Sequence, residues 1–517
     1  MVDALDATKQ NLLLMKYPGI AALFFAMVFS IAAQTNPSLE ATNMVAGGRM
    51  LSLQDCVQEA LKHNLDVQIQ RYDPEISLYN LRASYGGFDP LFNITGQHNY
   101  NVQPGSFTSQ GIQLPAQTTR NNSGNAGLSG ELPFTGLQYD LTGNLQEQHF
   151  LNSTNGANSS GGAGISLTQP LLKNFWIDNT RLTIQVDKNR LQYSEQGFRL
   201  QVITSITAVQ TAYYELVFAL ENLKVQQEAL DLSQTQLDQD RQRLQIGTIA
   251  QLSVQQDESQ VAQNQATVIS AQSTLETDQN TLKNLITDNY SDLHNKDIQP
   301  TETLAAPLVL FNLQDSWSKG MTERPDLIQY RLNMLQDGIQ LKYLRNQLFP
   351  ELDLIGTYGW NGAGVLYNGS LNQIGKGNAP YYSYGAQLSM PLANQSARNN
   401  YKAGKVTLQQ AVLQLKQFEQ TVLVAIDNAV KTAQTDYESV EATKQARVYA
   451  EAALDAEQKT YAVGKATTFE VLQYQSSLTT ARGQEIRALA NYEEALASLA
   501  AAEGSTLDRL GINIEAN

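Results

Sequence analysis

Two stretches of the chain carry apolar residues at intervals of three, four and seven positions over unusual lengths. The first stretch, residues 181–246, contains no proline, and the second begins near residue 398. This period is typical of coiled-coil packing. At 1.5 Å per residue, a helix of about 66 residues would be roughly 100 Å long. The pattern therefore predicts long rods rather than the short helices of a compact domain.

Each rod is predicted to turn back at a glycine. Helical periodicity resumes after both glycines and continues to about residues 286 and 503. Because glycine adopts the left-handed conformation that ends a helix, the sequence predicts helical hairpins over 181–287 and 398–503. The predicted tips are Gly247 and Thr248 in the first hairpin, and Gly464 and Lys465 in the second.

Alternating apolar and polar residues precede each rod and indicate β-strands. These segments are rich in Gly, Asn, Ser, Thr and Tyr and nearly lack Lys and Arg. Such a composition is typical of outer-membrane barrel hairpins, with a soluble β-sandwich as the alternative. The predicted strand hairpins, 90–170 and 350–391, are bounded by Pro90, Pro170, Pro350 and Pro391.

The two halves of the chain repeat one unit of helix, strand hairpin and helical hairpin. Leu53-Gln54-Asp55 opens the first unit and recurs as Leu313-Gln314-Asp315, 260 positions later. The sequence therefore predicts two structural repeats, residues 53–287 and 313–503, joined by a connector over 288–312.

The strand segment of the first repeat is longer than its counterpart. Pro90 and Pro170 are 80 positions apart, whereas Pro350 and Pro391 are 41 apart, which leaves a surplus of 39 residues. We expect the surplus to form an external loop, with an added strand pair as the alternative. Two strands per repeat could not close a barrel, and an open edge in lipid leaves backbone groups unpaired. Several chains would have to share one barrel.

Residues 1–33 are predicted to be a signal peptide. Lys9 and Lys16 precede an apolar run of fourteen residues, which is shorter than the ~20 residues that span a bilayer. A membrane anchor is the alternative. Residues 34–52 are predicted to be a linker, and residues 504–517 a C-terminal tail.

Composition limits the chemistry that the chain can perform. The net charge of −15 argues against a nucleic-acid partner. Cys56 is the single cysteine, and the four histidines are scattered without metal-ligand spacing. The sequence contains no glycine-rich phosphate loop of the Walker type. We therefore expect no enzyme activity and no cofactor or metal.

The order and spacing of these motifs resemble the TolC-like outer membrane efflux proteins over essentially the whole mature length. The second tip, residues 461–472 (YAVGKATTFEVL), is close to the family pattern Y-x-V-G-x-x-T-x-x-[DE]-V-L. The resemblance implies a mainly α protein with membrane β-structure. It implies a homotrimer whose long coiled-coil hairpins form an α-barrel that joins a shared, twelve-stranded transmembrane β-barrel.

The same resemblance implies a function. It implies a passive channel through the outer membrane and periplasm for a tripartite efflux or type I secretion system, which carries drugs, small molecules or polypeptides. The partners would be a periplasmic adaptor (membrane fusion) protein, an inner-membrane transporter and outer membrane lipid. A secreted coiled-coil structural or adhesive protein without a pore is the alternative.

The resemblance also implies roles for residues near the tips. A periplasmic gate would include Tyr461, Glu470 and Gln473, of which the last is a glutamine where the family carries a second acid. An exposed helix charge is the alternative interpretation of Glu470. The four tip residues would dock the adaptor, although a helix-turn requirement explains the two glycines without a partner.

Overall fold

The computed structural model of the protein describes residues 48–151 and 156–513. The predicted signal peptide lies outside these ranges. The helices are α1 (Leu53–His63), α2 (Leu65–Ser84), α3 (Asn179–Gln245), α4 (Gln251–Ile286), α5 (Tyr290–Leu293), α6 (Leu313–Glu323), α7 (Pro325–Asn346), α8 (Tyr367–Lys376), α9 (Gln395–Ala462), α10 (Thr468–Glu503) and α11 (Thr506–Leu510). The strands are β1 (Gly48–Leu51), β2 (Leu91–Gln103), β3 (Gln117–Glu131), β4 (Gln138–Phe150), β5 (Ala157–Pro170), β6 (Asp297–Pro300), β7 (Glu351–Gly364) and β8 (Pro380–Ser389).

Local sequence signals account for the helix boundaries at the start of each repeat. Ser52 and Asp55 form a reciprocal capping box on α1. Asn64 ends α1 and also caps α2, because its side-chain oxygen accepts a hydrogen bond from the backbone N–H of Val67. In the second repeat, Pro325 starts α7 at a position where a missing N–H costs nothing. Each repeat therefore opens with two consecutive helices.

The largest apolar core joins the first repeat to the segments around it. Tyr213 of α3 is fully buried in this core, and its hydroxyl donates to the backbone oxygen of Leu51 at 3.3 Å. Strand β1, at the end of the predicted linker, pairs in parallel with β6 of the connector. Leu507 of the C-terminal tail packs into the same core. Parts of the predicted linker, the connector and the tail therefore pair or pack with the rest of the structure.

The second sheet has six antiparallel strands in the order β2-β3-β4-β5-β7-β8. The first repeat therefore contributes four strands where two were expected, and the second repeat contributes two. The expectation that the surplus forms an external loop is wrong, because these residues extend the sheet. Many positions of β3 and β4 are Gly, Asn, Ser or Gln, so the apolar–polar alternation that marks a strand is faint in the sequence.

The turn between β3 and β4 is fastened to the start of α3. The Arg181 guanidinium donates from Nε and Nη2 to the backbone oxygen of Pro133, at 3.1 and 3.0 Å. Gln169, near the end of β5, donates to the backbone oxygen of Thr135 at 2.8 Å. The turn therefore lies at the end of the sheet from which the long helix departs.

The four prolines singled out in the sequence lie at or near strand ends. Pro90 and Pro350 directly precede β2 and β7, Pro170 is the last residue of β5, and Pro391 follows β8 by two positions. Proline has no N–H to donate to a ladder, which suits positions where pairing begins or stops.

Helix α8, between β7 and β8, was not expected from the sequence. It packs on the sheet, and the Ser370 hydroxyl donates to that of Ser159 on β5 at 2.9 Å. Gly362 of β7 lies beneath this helix. A side chain at this position would collide with the backbone of Ser370, so the close packing requires glycine. Within the described part of the chain, no helix has both the length and the apolar character needed to cross a bilayer.

Candidate functional site

Both long helical hairpins turn at the predicted glycines. Gly247 has φ of 76° and Gly464 has φ of 75°, which is the left-handed region that other residues avoid. The residue after each glycine donates its N–H to the carbonyl five positions back, at 2.9 Å for Thr248 and 3.1 Å for Lys465. The two tips therefore close with the same helix-ending motif.

Each tip also exposes two large apolar side chains at equivalent positions. Ile246 and Val463 precede the glycines and are 75% and 69% exposed. Leu252 and Phe469 follow the glycines by five positions and are 64% and 60% exposed. We call these four residues the tip patch. Large apolar side chains that are exposed at the same two positions of both tips are candidates for contact with a partner.

One buried carboxylate close to the tips is bonded to both hairpins. Asp240 of α3 is fully buried, and the Tyr461 hydroxyl at the end of α9 lies 2.8 and 2.7 Å from its two oxygens. Thr468, the first residue of α10, donates to the same carboxylate at 3.1 Å. Gln236 donates to it at 3.1 Å from within α3. A buried carboxylate needs such donors to offset its lost hydration.

The surroundings of Tyr461 complete this link. The guanidinium of Arg243 lies 4.6 Å from the centre of the Tyr461 ring and 3.6 Å from Asp240. Burial raises the pKa of Tyr461 above its ordinary value. The hydroxyl therefore keeps its proton and remains a donor.

A second buried carboxyl group, from α4, faces the first. Asp257 is fully buried, and neither of its carboxyl oxygens accepts a hydrogen bond from a donor among the described residues. Burial and then the neighbouring Asp240 raise the pKa of Asp257 to about 7. A proton on Asp257 lets it donate to Asp240, so the pair holds one shared proton below neutral pH. All four long helices thus meet at this pair of carboxyls.

Further from the tips, ion pairs join the same two hairpins. Arg482 of α10 contacts Glu228 of α3 at 3.0 Å, and Arg487 contacts Glu215 at 2.6 Å. These side chains are between 31% and 52% exposed, and partly exposed pairs of this kind contribute only about 0–1 kcal/mol each. The buried link at Asp240 is therefore the stronger connection.

Glu470 and Gln473 lie outside this cluster. One carboxylate oxygen of Glu470 accepts from the backbone N–H of Thr467 at 2.7 Å and from its hydroxyl at 2.9 Å, and these bonds lower the pKa of Glu470. Glu470 thus caps its own helix in a reciprocal capping box. Gln473 is exposed one turn further along α10.

Asp240 and Asp257 were missed in the sequence, although each carries a signal. Asp240 comes three residues after Leu237 and four before Leu244, which is the phase of the apolar seam. Asp257 follows Val254 by three positions in the same way. An acid in a buried seam is costly unless it is protonated or bonded, so these two positions could have been marked as candidates.

Comparison with known proteins identifies a family and a fold. The model of the family described as outer membrane efflux protein matches residues 125–287 and 319–505. The outer membrane protein TolC of Escherichia coli (strain K12) is 25% identical over 370 residues, which cover 70% of this chain and 72% of that protein.

Two solved structures share the fold at low sequence identity. The CmeC outer membrane channel of Campylobacter jejuni has a TM-score of 0.63 and 15% identity, covering 88% of this chain and 86% of that one. The outer membrane protein VceC of Vibrio cholerae has a TM-score of 0.63 and 17% identity, covering 87% of this chain and 96% of that one.

We expect Asp257→Asn to stabilise the folded protein at pH 8 more than at pH 4.5. In the wild type, the folded carboxyl with its raised pKa stays protonated up to about pH 7, whereas the unfolded one ionises near pH 4. The contribution of Asp257 to the stability of the wild type should therefore fall as pH rises from 4 to 7, by up to about 1.4 kcal/mol per pH unit, and then level off. The amide side chain of the Asp257→Asn variant cannot ionise, so the variant does not lose stability in this way.

The measurement is thermal unfolding of the detergent-extracted protein by circular dichroism at both pH values. Asp231→Asn, at an exposed position of α3, is the matched control, and its effect on stability should be the same at both pH values. An equal effect of Asp257→Asn at both pH values would contradict the shared-proton pair.

Proposed function

This chain belongs to the outer membrane efflux protein family, and on that premise we propose that three copies of it form the exit duct of a tripartite efflux or type I secretion system. As a member of the family it is an outer membrane channel, with its helices in the periplasm. Family membership is incompatible with the alternative of a secreted adhesive protein.

The observation that carries the proposal is an open sheet joined to two long helical hairpins in one chain. In lipid, the free edges of such a sheet would leave backbone groups without partners, so several copies must complete one another. Copies arranged in a ring around a membrane wall would place their hairpins side by side as a tunnel. The homotrimer is the state that the family resemblance implies.

The proposed duct is passive, and its partners supply energy and cargo. An inner-membrane transporter would load drugs, small molecules or polypeptides, and a periplasmic adaptor would connect it to the helical tips. The tip patch supports the docking role, because its four apolar residues are exposed around Gly247, Thr248, Gly464 and Lys465. Burial of such side chains against a partner stabilises an interface.

We further propose that the Tyr461–Asp240 link holds the periplasmic entrance closed. It joins the second hairpin to the first close to the tips, where separation of the hairpins would widen the entrance. Removal of a hydrogen bond to a charged acceptor costs about 1.5–3 kcal/mol. Three equivalent links in a trimer would give a substantial barrier to opening.

Glu470 and Gln473 belong to the same proposal in a different role. Both are exposed near the start of α10, and three copies of the Glu470 carboxylate around an axis would form a negative ring. Such a ring attracts cations and repels anions. The hydrogen bonds from Thr467 hold the Glu470 carboxylate at the start of α10.

Tyr461→Phe tests the gate. We expect the mean conductance of the purified protein in planar bilayers to rise severalfold, because the phenyl ring keeps the packing while the donor to Asp240 is lost. Tyr449→Phe is the matched control, since this tyrosine on the same helix is 71% exposed. Unchanged conductance in Tyr461→Phe would remove the link from the gate, and a channel-free wild type would refute the proposed function.

Phe469→Ser tests docking at the tips. We expect this variant to conduct as the wild type does in planar bilayers but to lose most dye export in cells, because the serine removes apolar contact area from the adaptor interface. Val448→Ser, at a 43% exposed position about 24 Å along the helix from the tip, should export normally. Full export by Phe469→Ser would argue against a docking role for the tip patch.

A further inference from the structure

One row of paired residues crosses all six strands of the large sheet and is apolar at every position. From β2 to β8 it consists of Phe92, Leu128, Leu141, Ile165, Tyr358 and Tyr382. Residues paired directly across antiparallel strands point to the same face. The row is therefore a continuous apolar band, and Leu128 and Leu141 of β3 and β4 carry it through the middle without a gap.

A row on the opposite face of the sheet consists of polar residues and one glycine in the five strands that it crosses. This row lies three positions along each strand from the apolar row, and an odd number of positions places it on the other face. It consists of Thr95, Asn125, Asn144, Gly162 and Asn361. The Asn125 side chain donates to the Thr95 hydroxyl at 3.3 Å, which confirms that their side chains share a face. Strands that are apolar on one side and polar on the other are typical of the wall between lipid and a water-filled lumen.

The unexpected strands are as long as the others. Strands β3 and β4 have 15 and 13 residues, compared with 13 in β2 and 14 in β7. A tilted strand needs about 9–11 residues to cross a bilayer. Both strands are thus long enough to span it, and their connecting turn is fastened by Arg181 at the helical end of the sheet.

The two outer strands present free edges that fit each other. Strands β2 and β8 have no partner on their outer sides within the described residues, and every residue of both is exposed. Because the sheet has six antiparallel strands, β2 and β8 run in opposite directions. Strand β8 of one copy can therefore pair in antiparallel fashion with β2 of the next.

We infer that all six strands of each copy belong to the membrane wall, so that three copies close a barrel of eighteen strands rather than the twelve that the family resemblance implies. This inference rests on the proposed homotrimer. Eighteen is an even number within the range of about 8 to 26 strands found in bacterial barrels. The added strands widen the wall, since barrel diameter grows with strand number.

Single cysteines in β3 and β4 test this assignment. Leu128→Cys and Leu141→Cys place a thiol in the apolar row, and Asn125→Cys and Asn144→Cys place one on the polar face. Tyr358→Cys and Asn361→Cys are the corresponding controls in β7. Native Cys56 is fully buried, so the unmodified chain provides the blank. Each protein is reconstituted in lipid vesicles and treated with a membrane-impermeant maleimide.

We expect at least tenfold faster labelling of the two polar-face positions than of the two apolar-row positions, matching the contrast between the β7 controls. Fast labelling of all four positions, with the contrast in β7 preserved, would place β3 and β4 outside the wall and overturn the inference while leaving the proposed channel intact. Loss of contrast in β7 itself would overturn the proposed membrane channel, and the inference with it. Two positions on each face guard against one variant that fails to fold.

Discussion

The backbone hydrogen-bonding requirement of a membrane-embedded sheet is the constraint on which the rest of this structure depends. Strands β2 and β8 each expose an outer edge without a partner among the described residues. In water such an edge is an aggregation hazard, but in lipid each unpaired group costs several kcal/mol. One chain cannot meet this requirement, so in the proposed trimer neighbouring copies supply each other's missing partners. In the proposed trimer, the same ring of copies would set the helical hairpins side by side as a tunnel.

At the other end of the hairpins, a single buried carboxylate connects elements that are distant in the sequence. Asp240 receives hydrogen bonds from Tyr461 and Thr468, which lie 221 and 228 positions away. Ion pairs further along the hairpins are partly exposed and contribute little. One buried connection between the hairpins therefore lies close to the tips, where the proposed gate would open. The Asp257 carboxyl, whose pKa burial and the neighbouring Asp240 raise to about 7, lies beside this connection.

The sequence was most informative where one physical signal dominates. Long coiled-coil periodicity predicted the rods, and the positive-φ requirement predicted Gly247 and Gly464 as their turning points. The extra strands were misjudged because β3 and β4 are built largely from small and polar residues, which give little alternation. The place of Asp240 in the apolar seam marks it as a candidate, but its bond to Tyr461 joins the two repeats. No local pattern encodes a contact of that range.

Helix α8 escaped prediction for a related reason. Its ten residues pack on the sheet through Ser370 and the space above Gly362, and such tertiary contacts override weak local preference. The strand ends marked by proline were easier to predict from the sequence, since a missing N–H interrupts strand pairing in any context.

That several copies must share one membrane wall is tested most directly by electron cryo-microscopy of the detergent-extracted protein, with no symmetry imposed during classification. The open edges of β2 and β8 predict ring-shaped particles with a hole through the strand wall, in which each strand edge meets a neighbouring copy. The proposed homotrimer predicts threefold end views. Monomeric particles, or assemblies without a hole in which these edges remain unpaired, would contradict the channel.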